Sequence, residues 1–214
     1  MEKHMTVIGK LATSLNRRDE IPNQKLAKEI VDKKDKKGIK ELIDNLTNKN
    51  EGIQNDCIKV LYEIGAIKPA LIADYIQTFI LLLDSKNNRL QWGAMTALYT
   101  ITKENPKTVF SSLPKIIATS DKGSVITKDN AVNILIELCS VRQYADKTFP
   151  LLNEQLLISP TNQLPMYAER TIPIINDKNR KIFIKTLNSR LGDIEKDTKR
   201  KRIEKVIKKV AKDN

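Results

Sequence analysis

Few residues in this chain could carry catalysis. His4 is the only histidine, so a Ser-His-Asp or Cys-His arrangement has no plausible base, and a histidine-based metal site has no ligands. The seven glycines never approach the spacing of a phosphate-binding or dinucleotide-binding loop. Carboxylate pairs such as Asp129 and Glu137 have no context that separates them from a solvated helix surface. We therefore expect a non-enzymatic protein without cofactors or metal ions, in which His4 is a chance terminal residue.

Two cysteines, Cys57 and Cys139, lie far apart, each within a predicted helix. This placement predicts two buried free thiols rather than a disulfide or a metal site. The first residues lack the apolar segment of a secretory signal, and the longest apolar run, residues 79–83, is far shorter than the ~18 residues that span a membrane. We expect a cytoplasmic protein with no transmembrane segment.

Positive charge is concentrated near the carboxyl end of the sequence. Residues 178–214 contain 14 Lys and Arg against 5 Asp and Glu, a net charge of +9 out of +12 for the whole chain. A basic surface can bind nucleic acid in a salt-dependent way, or attract an acidic protein or an anionic membrane. The alternative is a solvated capping helix. The candidate phosphate-binding residues are Lys199, Arg200, Lys201, Arg202, Lys205, Lys208 and Lys209.

The elements that must position these side chains are indicated by a 37-residue repeat. A small residue recurs in one column, and larger aliphatic residues recur four and seven positions after it. These spacings place all three columns on one stripe of a helix, and a period of 20 to 50 residues is typical of a solenoid. The columns are Cys57, Ala94, Ala131 and Ala168; then Leu61, Leu98, Leu135 and Ile172; then Ile64, Ile101, Leu138 and Ile175.

Each repeat is predicted to contain two helices joined by a turn rich in Asn, Asp, Ser, Gly or Pro. The fold class is therefore all-α, a solenoid of about five to six antiparallel helix pairs. We expect one domain over residues 1–214, with capping helices in 1–37, four repeat units in 38–176 and basic capping helices in 177–214. The predicted helices are 5–16, 22–34, 39–46, 53–64, 69–84, 88–104, 106–119, 125–141, 143–158, 161–176, 179–191 and 198–212.

The sequence resembles the HEAT-repeat family of α-solenoids over about residues 20–190. Residues 84–98 look like that family's turn and second helix, and Asp84 and Asp121 match its turn aspartate. Pro114 and Pro150 resemble the proline that bends the first helix in many HEAT units. The resemblance implies a right-handed α-α superhelix. It identifies no subfamily and says little about function, because such scaffolds serve many roles.

The second helices of similar solenoids line the concave side, so their polar stripe is the expected binding surface. Aromatic residues are only 5% of the chain, yet three of them fall on this stripe. Aromatic residues with polar tips are enriched where binding energy concentrates. The alternative is that loops or neighbouring helices cover these rings as ordinary core. The predicted contact residues are Lys59, Tyr62, Trp92, Tyr99, Asp129, Asn133 and Arg170.

Three functions follow from these patterns. The leading hypothesis is a non-enzymatic scaffold that binds a protein partner through the concave face of stacked helices. The alternative is a nucleic-acid-binding protein that uses the basic carboxyl-terminal region. An enzyme of the HEAT-like DNA glycosylase kind is implied by the resemblance alone, and Trp92, followed by Thr96 with no second Trp, departs from the aromatic and acidic groove of those enzymes.

Overall fold

The computed structural model describes residues 6–212, and within that range the chain forms helices and no β-strand. The predicted all-α fold class is confirmed. The α-helices are α1 (Ile21–Lys33), α2 (Lys36–Asp44), α3 (Glu51–Ile67), α4 (Ile76–Leu82), α5 (Asn88–Thr100), α6 (Pro106–Ser111), α7 (Leu113–Lys122), α8 (Val125–Ser140), α9 (Arg142–Ile158), α10 (Leu164–Thr171), α11 (Arg180–Arg190) and α12 (Asp197–Lys212). Short 3-10 helices occupy Val7–Lys10, Asn45–Thr47, Pro69–Leu71, Ala73–Tyr75, Ile172–Ile174 and Leu191–Asp193.

The repeat columns form the core of the second helices. All four members of the small-residue column are at most 1% exposed, and the first three members of both aliphatic columns are fully buried. In the fourth copy Ile172 and Ile175 are only partly buried. There α10 ends at Thr171 and the chain continues as a 3-10 helix over Ile172–Ile174, because Pro173 has no backbone N–H to donate to the α-helical hydrogen-bond ladder.

Side-chain caps begin the helices at the predicted turns. Asn50 accepts a hydrogen bond from the backbone N–H of Gly52 at the start of α3. Asn87 does the same for Arg89 at the start of α5, and Asp35 for Gly38 in α2, each at 2.9 Å. These bonds satisfy backbone donors that have no partner within their own helix. The turn residues predicted from the sequence therefore mark where helices begin.

Two predicted helices, 69–84 and 106–119, are interrupted, and most of the described part of a third, 5–16, is not helical. Residues 69–84 form two 3-10 turns followed by α4, and residues 106–119 divide at Ser112 into α6 and α7, with Pro114 in the first turn of α7. Within the described part of 5–16, only Val7–Lys10 is helical, and the following turn ends at Asn16 with φ 54°. The helix predicted over 5–16 was wrong, because this segment is held by side chains of α1 and α3 instead.

The helices pack in two compact units, one ending at Asn130 and the other beginning at Ala131. In the first unit, α3 contacts α1 on one side and α5 on the other, while α2 and α4 pack against α3 and α5. In the second unit, α12 contacts α10 and α11, and α9 contacts α11. Second helices of successive repeats thus lie side by side within each unit, which is the layering that a solenoid requires.

Cys57 and Cys139 are both free and buried, as predicted. Burial in apolar surroundings raises the pKa of each thiol to about 12, so both are protonated at neutral pH. Among residues 6–212 no helix is both long enough and apolar enough to cross a membrane.

Candidate functional site

The candidate site lies where α3 and α5 pack side by side in the first unit. A Cβ atom at Gly93 of α5 would lie 2.6 Å from Cγ1 of Ile58 in α3, so only glycine permits this close approach. At the start of α5, the Asn87 side-chain amide donates hydrogen bonds to Gln54 and Asn55 of α3, at 3.2 and 3.0 Å. These contacts fix the distance and register of the two helices and thereby the side chains on their outer faces.

Two aromatic rings meet across this helix pair. The centroids of Tyr62, from α3, and Trp92, from α5, are 5.8 Å apart with an interplanar angle of 49°. Both side chains are partly exposed. The Arg89 guanidinium lies over the Trp92 ring at 5.6 Å, and the Lys59 ammonium over the Tyr62 ring at 4.9 Å. We refer to Tyr62, Trp92, Lys59 and Arg89 as the aromatic surface.

A carboxylate from a distant part of the chain connects the two cations. Oε2 of Glu20 lies 2.8 Å from Lys59 Nζ, and its Oε1 lies 2.5 Å from Nη2 of Arg89. Lys59 also pairs with Glu63, one turn later on α3, at 2.7 Å. The Lys59 side chain is only 8% exposed, whereas that of Glu20 is 42% exposed. Lys59 is therefore a fixed internal charge, and Glu20 lies at the rim.

The pKa shifts of these groups follow from their contacts. The hydrogen bond from Lys59 lowers the pKa of Glu20, with a further contribution from Arg89. Burial works against the charged form of Lys59, but hydrogen bonds to Glu20 and Glu63 outweigh it and raise its pKa. Burial raises the pKa of Tyr62. All three shifts keep the lysine and glutamate charged and the phenol neutral at pH 7.

The structure brings some of the predicted contact residues together and separates others. Tyr62 and Trp92 form one patch, and Tyr99 lies two turns beyond Trp92 on α5, partly buried and outside this ring pair. Lys59 lies beneath the surface instead of facing a partner directly. Asp129 is partly buried on α8.

The remaining two predicted contact residues belong to the second unit. Nη1 of Arg170 donates a hydrogen bond to Oδ1 of Asn133 at 3.0 Å, and Arg170 is exposed. This pair links α10 to α8 at a separation of 37 residues, which equals the repeat length predicted from the sequence. The bond shows that equivalent positions of neighbouring second helices are adjacent there.

Three residues of the site were missed by sequence reasoning. Glu63 follows Lys59 by four positions, and Arg89 precedes Trp92 by three, which are spacings at which helix side chains meet. Applying the helical spacing to the charges as well as to the rings would have found both. No local signal marks Glu20, because its contacts with α3 and α5 depend on how the amino-terminal segment is packed.

The basic candidates on α12 divide into paired and unpaired groups. Arg202 forms a bidentate pair with Glu169 at 2.8 and 2.6 Å, Arg200 donates to the carbonyl of Ile194 at 2.7 Å, and Lys199 contacts Asn162. The hydrogen bond from Arg202 lowers the pKa of Glu169. These three basic side chains are therefore used within the fold.

Four lysines form the outer face of α12. They recur at intervals of four, three and four residues, opposite the buried face that contains Ile203, Val206 and Val210. All four are exposed, and none forms a hydrogen bond or a close ion pair within residues 6–212. Lys205 is near enough to Glu169 to contribute to the lowered pKa of that carboxyl. Lys209 is also exposed and follows one member of the group, Lys208, in the sequence, but it is not counted among the four. We call the group the lysine stripe: Lys201, Lys205, Lys208 and Lys212.

Residues 6–212 contain no cluster of three or more His, Cys, Asp or Glu side chains that could hold a metal ion. His4 lies outside the described residues. The arrangement at α3 and α5 offers the stacking surface of two rings, the exposed cation of Arg89 and hydrogen-bonding groups, all of which can take part in binding.

Comparison with known proteins supports the fold. No protein-family model matches the sequence, and no curated protein matches it. The designed armadillo repeat protein YIII(Dq)4CqI is 16% identical with a TM-score of 0.64, over 95% of this chain and 99% of its own. The designed armadillo repeat protein YIII(Dq.V1)4CPAF, solved in complex with the peptide (KR)4, is 14% identical with a TM-score of 0.65, over 94% of this chain and 98% of its own.

A third solved structure is also similar over nearly the whole chain. An engineered protein from the Northeast Structural Genomics Consortium is 17% identical with a TM-score of 0.63, over 97% of this chain and 97% of its own. At these identities the likeness concerns the fold alone. The chain is an α-solenoid of helical repeats, and no subfamily is identified.

Proposed function

We propose that this helical-repeat solenoid is a non-enzymatic scaffold that binds a segment of a partner protein through the aromatic surface of α3 and α5. The observation that carries the proposal is the contact between Tyr62 and Trp92, two partly exposed rings in a chain with few aromatic residues. Rings with polar tips that are flanked by cations are typical of binding hot spots. A cytoplasmic location and a concave placement of this surface remain predictions from the sequence.

The class of partner is supported by the architecture. Side-by-side helices present side chains in rows, and rows suit an extended peptide or a single helix. One structural neighbour was solved with a bound peptide, which supports this use of the fold without identifying the partner of this chain. The aromatic surface differs from a purely polar face because its rings remove apolar area from water when a partner covers them.

We expect Trp92→Ala to weaken partner capture from cell extract by at least about 10-fold, because truncating a hot-spot residue costs about 2 kcal/mol or more. Tyr62→Ala is expected to act in the same direction. The measurement compares the proteins retained by immobilised wild type and variant, identified by mass spectrometry and then titrated singly. Tyr75→Ala serves as the matched control, because Tyr75 is partly buried and lies outside the aromatic surface.

One result would contradict the proposed binding site on the aromatic surface. If Trp92→Ala and Tyr62→Ala retain the same partner with unchanged affinity and unchanged circular dichroism, the aromatic surface is not the binding site. A loss of binding that Tyr75→Ala shares would point to unfolding rather than to recognition.

A second candidate function, nucleic-acid binding, is favoured by the lysine stripe on α12. Its four ammonium groups are exposed and unpaired within the described residues, whereas the arginines on the same helix are engaged by neighbours. Lysines aligned along a helix can neutralise successive phosphates and release their counterions. The stripe spans about 16 Å at 1.5 Å per residue, which corresponds to a short contact with the phosphate backbone.

For this candidate we expect duplex DNA or RNA binding that weakens about 100-fold between roughly 50 and 200 mM salt, as four phosphate contacts imply. Replacing the four lysines of the stripe by Gln should remove most of that salt dependence. The matched control replaces four exposed lysines of α1 and α2, so that net charge changes equally: Lys25, Lys28, Lys36 and Lys37. Equal losses in both variants, or no binding at the lower salt, would reject a dedicated nucleic-acid site.

A further inference from the structure

The aromatic surface contains its own internal ligand. We infer that Glu20 occupies the place of a partner's carboxylate, and that the surface recognises an acidic peptide whose carboxylate displaces Glu20 from Arg89. This inference rests on the proposed function and adds the chemical class of the partner. Its evidence is the ionic network around Lys59 and Arg89.

Each of the two cations also has a contact within its own helix that does not involve Glu20. Lys59 belongs to α3, is almost fully buried and keeps Glu63 as a second partner at 2.7 Å. Arg89 belongs to the first turn of α5, and its guanidinium rests over Trp92. The Nε of Arg89 is buried and has no hydrogen-bond partner within the described residues. Arg89 therefore has donor capacity that Glu20 does not use.

Glu20, by contrast, is attached in a way that permits release. It lies in the bend before α1, its side chain makes no capping hydrogen bond to that helix, and it is 42% exposed. It reaches Arg89 from 69 positions away in the sequence. Ion pairs of this exposure contribute little to stability, so exchanging one carboxylate for another is nearly neutral in free energy. A carboxylate of the partner must therefore compete for Arg89 with Glu20, which belongs to the same chain as Arg89.

Charge decides which peptide fits the surface. Arg89 and Lys59 attract carboxylates, and the acidic groups that pair with them among residues 6–212 are Glu20 and Glu63. A basic peptide would meet the exposed cation of Arg89, with Lys59 beneath the surface, and carboxylates that are already paired. An acidic peptide can replace Glu20 in the bond to Arg89. An apolar residue next to the acidic one would cover Trp92. The expected partner segment thus alternates acidic and apolar residues.

The test uses Trp92 itself as the reporter, because it is the only tryptophan in the chain. Its emission is recorded while the full-length protein is titrated with three eight-residue peptides, (LE)4, (LQ)4 and (LK)4. We expect (LE)4 to bind at least about 5-fold more tightly than the other two, as a charge-assisted bond to Arg89 requires. Glu20→Gln should tighten (LE)4 binding about 2- to 5-fold by removing the competitor. Arg89→Gln should weaken it.

A matched control separates this effect from a general change in charge. Glu29 also bridges two lysines, Lys10 at 2.8 Å and Lys33 at 2.7 Å, and is similarly exposed, but it lies away from the aromatic surface. Glu29→Gln should therefore leave (LE)4 affinity unchanged. If Glu29→Gln tightens (LE)4 binding as much as Glu20→Gln does, a peptide carboxylate does not replace Glu20 at Arg89.

The remaining outcomes distinguish this inference from the proposed function. Equal or tighter binding of (LQ)4 or (LK)4, no binding of (LE)4, or an affinity for (LE)4 that Glu20→Gln leaves unchanged would each overturn the exchange of carboxylates. The scaffold function would survive these results, because it fails only if partner capture is insensitive to Tyr62→Ala and Trp92→Ala.

Discussion

Replacing Leu98 by Ala is expected to lower the free energy of unfolding by about 2–5 kcal/mol, the range for deleting a fully buried Leu side chain. Leu98 is 0% exposed and belongs to the first aliphatic column of the repeat, between the layers of the first unit. Its removal leaves a cavity that the neighbouring helices cannot close, because Gly93 and Ile58 already bring α3 and α5 into close contact.

Urea unfolding followed by circular dichroism and by Trp92 emission measures this loss. The emission reports on the first unit, where both Leu98 and Trp92 lie on α5. Leu81→Ala is the matched control: the same residue type in the same unit, but 69% exposed, so its effect should stay within about 0.5 kcal/mol. Equal effects of the two substitutions would mean that the repeat columns do not form the core.

Asp56→Ala is expected to destabilise the first unit by about 2–4 kcal/mol, because it leaves one buried and one partly buried donor without an acceptor. Oδ2 of Asp56 accepts a hydrogen bond from the backbone N–H of Thr13, and Oδ1 accepts one from Nδ2 of Asn23, both at 2.7 Å. Oδ1 of Asn23 in turn accepts from the backbone N–H of Ala12 at 3.0 Å. Asp56 and Asn23 are both buried.

The same unfolding experiment tests this network, with limited proteolysis as a second readout of the segment 11–16. Asp44→Ala is the control, because Asp44 is exposed and its carboxylate pairs with Lys40 at 2.6 Å on the surface of α2. That change should cost less than about 1 kcal/mol. If Asp56→Ala is no worse than Asp44→Ala and cleavage of 11–16 does not accelerate, this network does not anchor the amino-terminal segment.

Periodicity predicted the helices best where burial repeats without interruption. The columns through Cys57, Ala94 and Ala131 recur at one spacing, and the helices that contain them lie within a few residues of prediction. In the fourth copy the helix predicted over 161–176 is too long, because Pro173 ends α10 at Thr171. A hydrophobic pattern records which residues prefer burial, whereas the end of a helix depends on backbone donors, and proline removes one.

The candidate site was predicted less completely than the fold. Tyr62 and Trp92 were both predicted on the polar stripe of the second helices, and their rings are in contact. The 37-residue offset pairs Tyr62 with Tyr99 instead, so this particular contact was not predicted. The burial of Lys59 was not foreseen, since it depends on Glu20, which is 39 positions earlier in the sequence. The same holds for Asp56, whose partners belong to the amino-terminal segment. Long-range polar contacts of this kind leave no periodic trace in one sequence.

The two buried cysteines allow each compact unit to be followed separately in time. Cys57 belongs to the first unit and Cys139 to the second, and the reactive species of a thiol is its thiolate. With a pKa of about 12 and little contact with solvent, neither reacts until its surroundings open. The labelling rate at each cysteine under native conditions therefore reports the local opening equilibrium of its own unit, in the unmodified sequence.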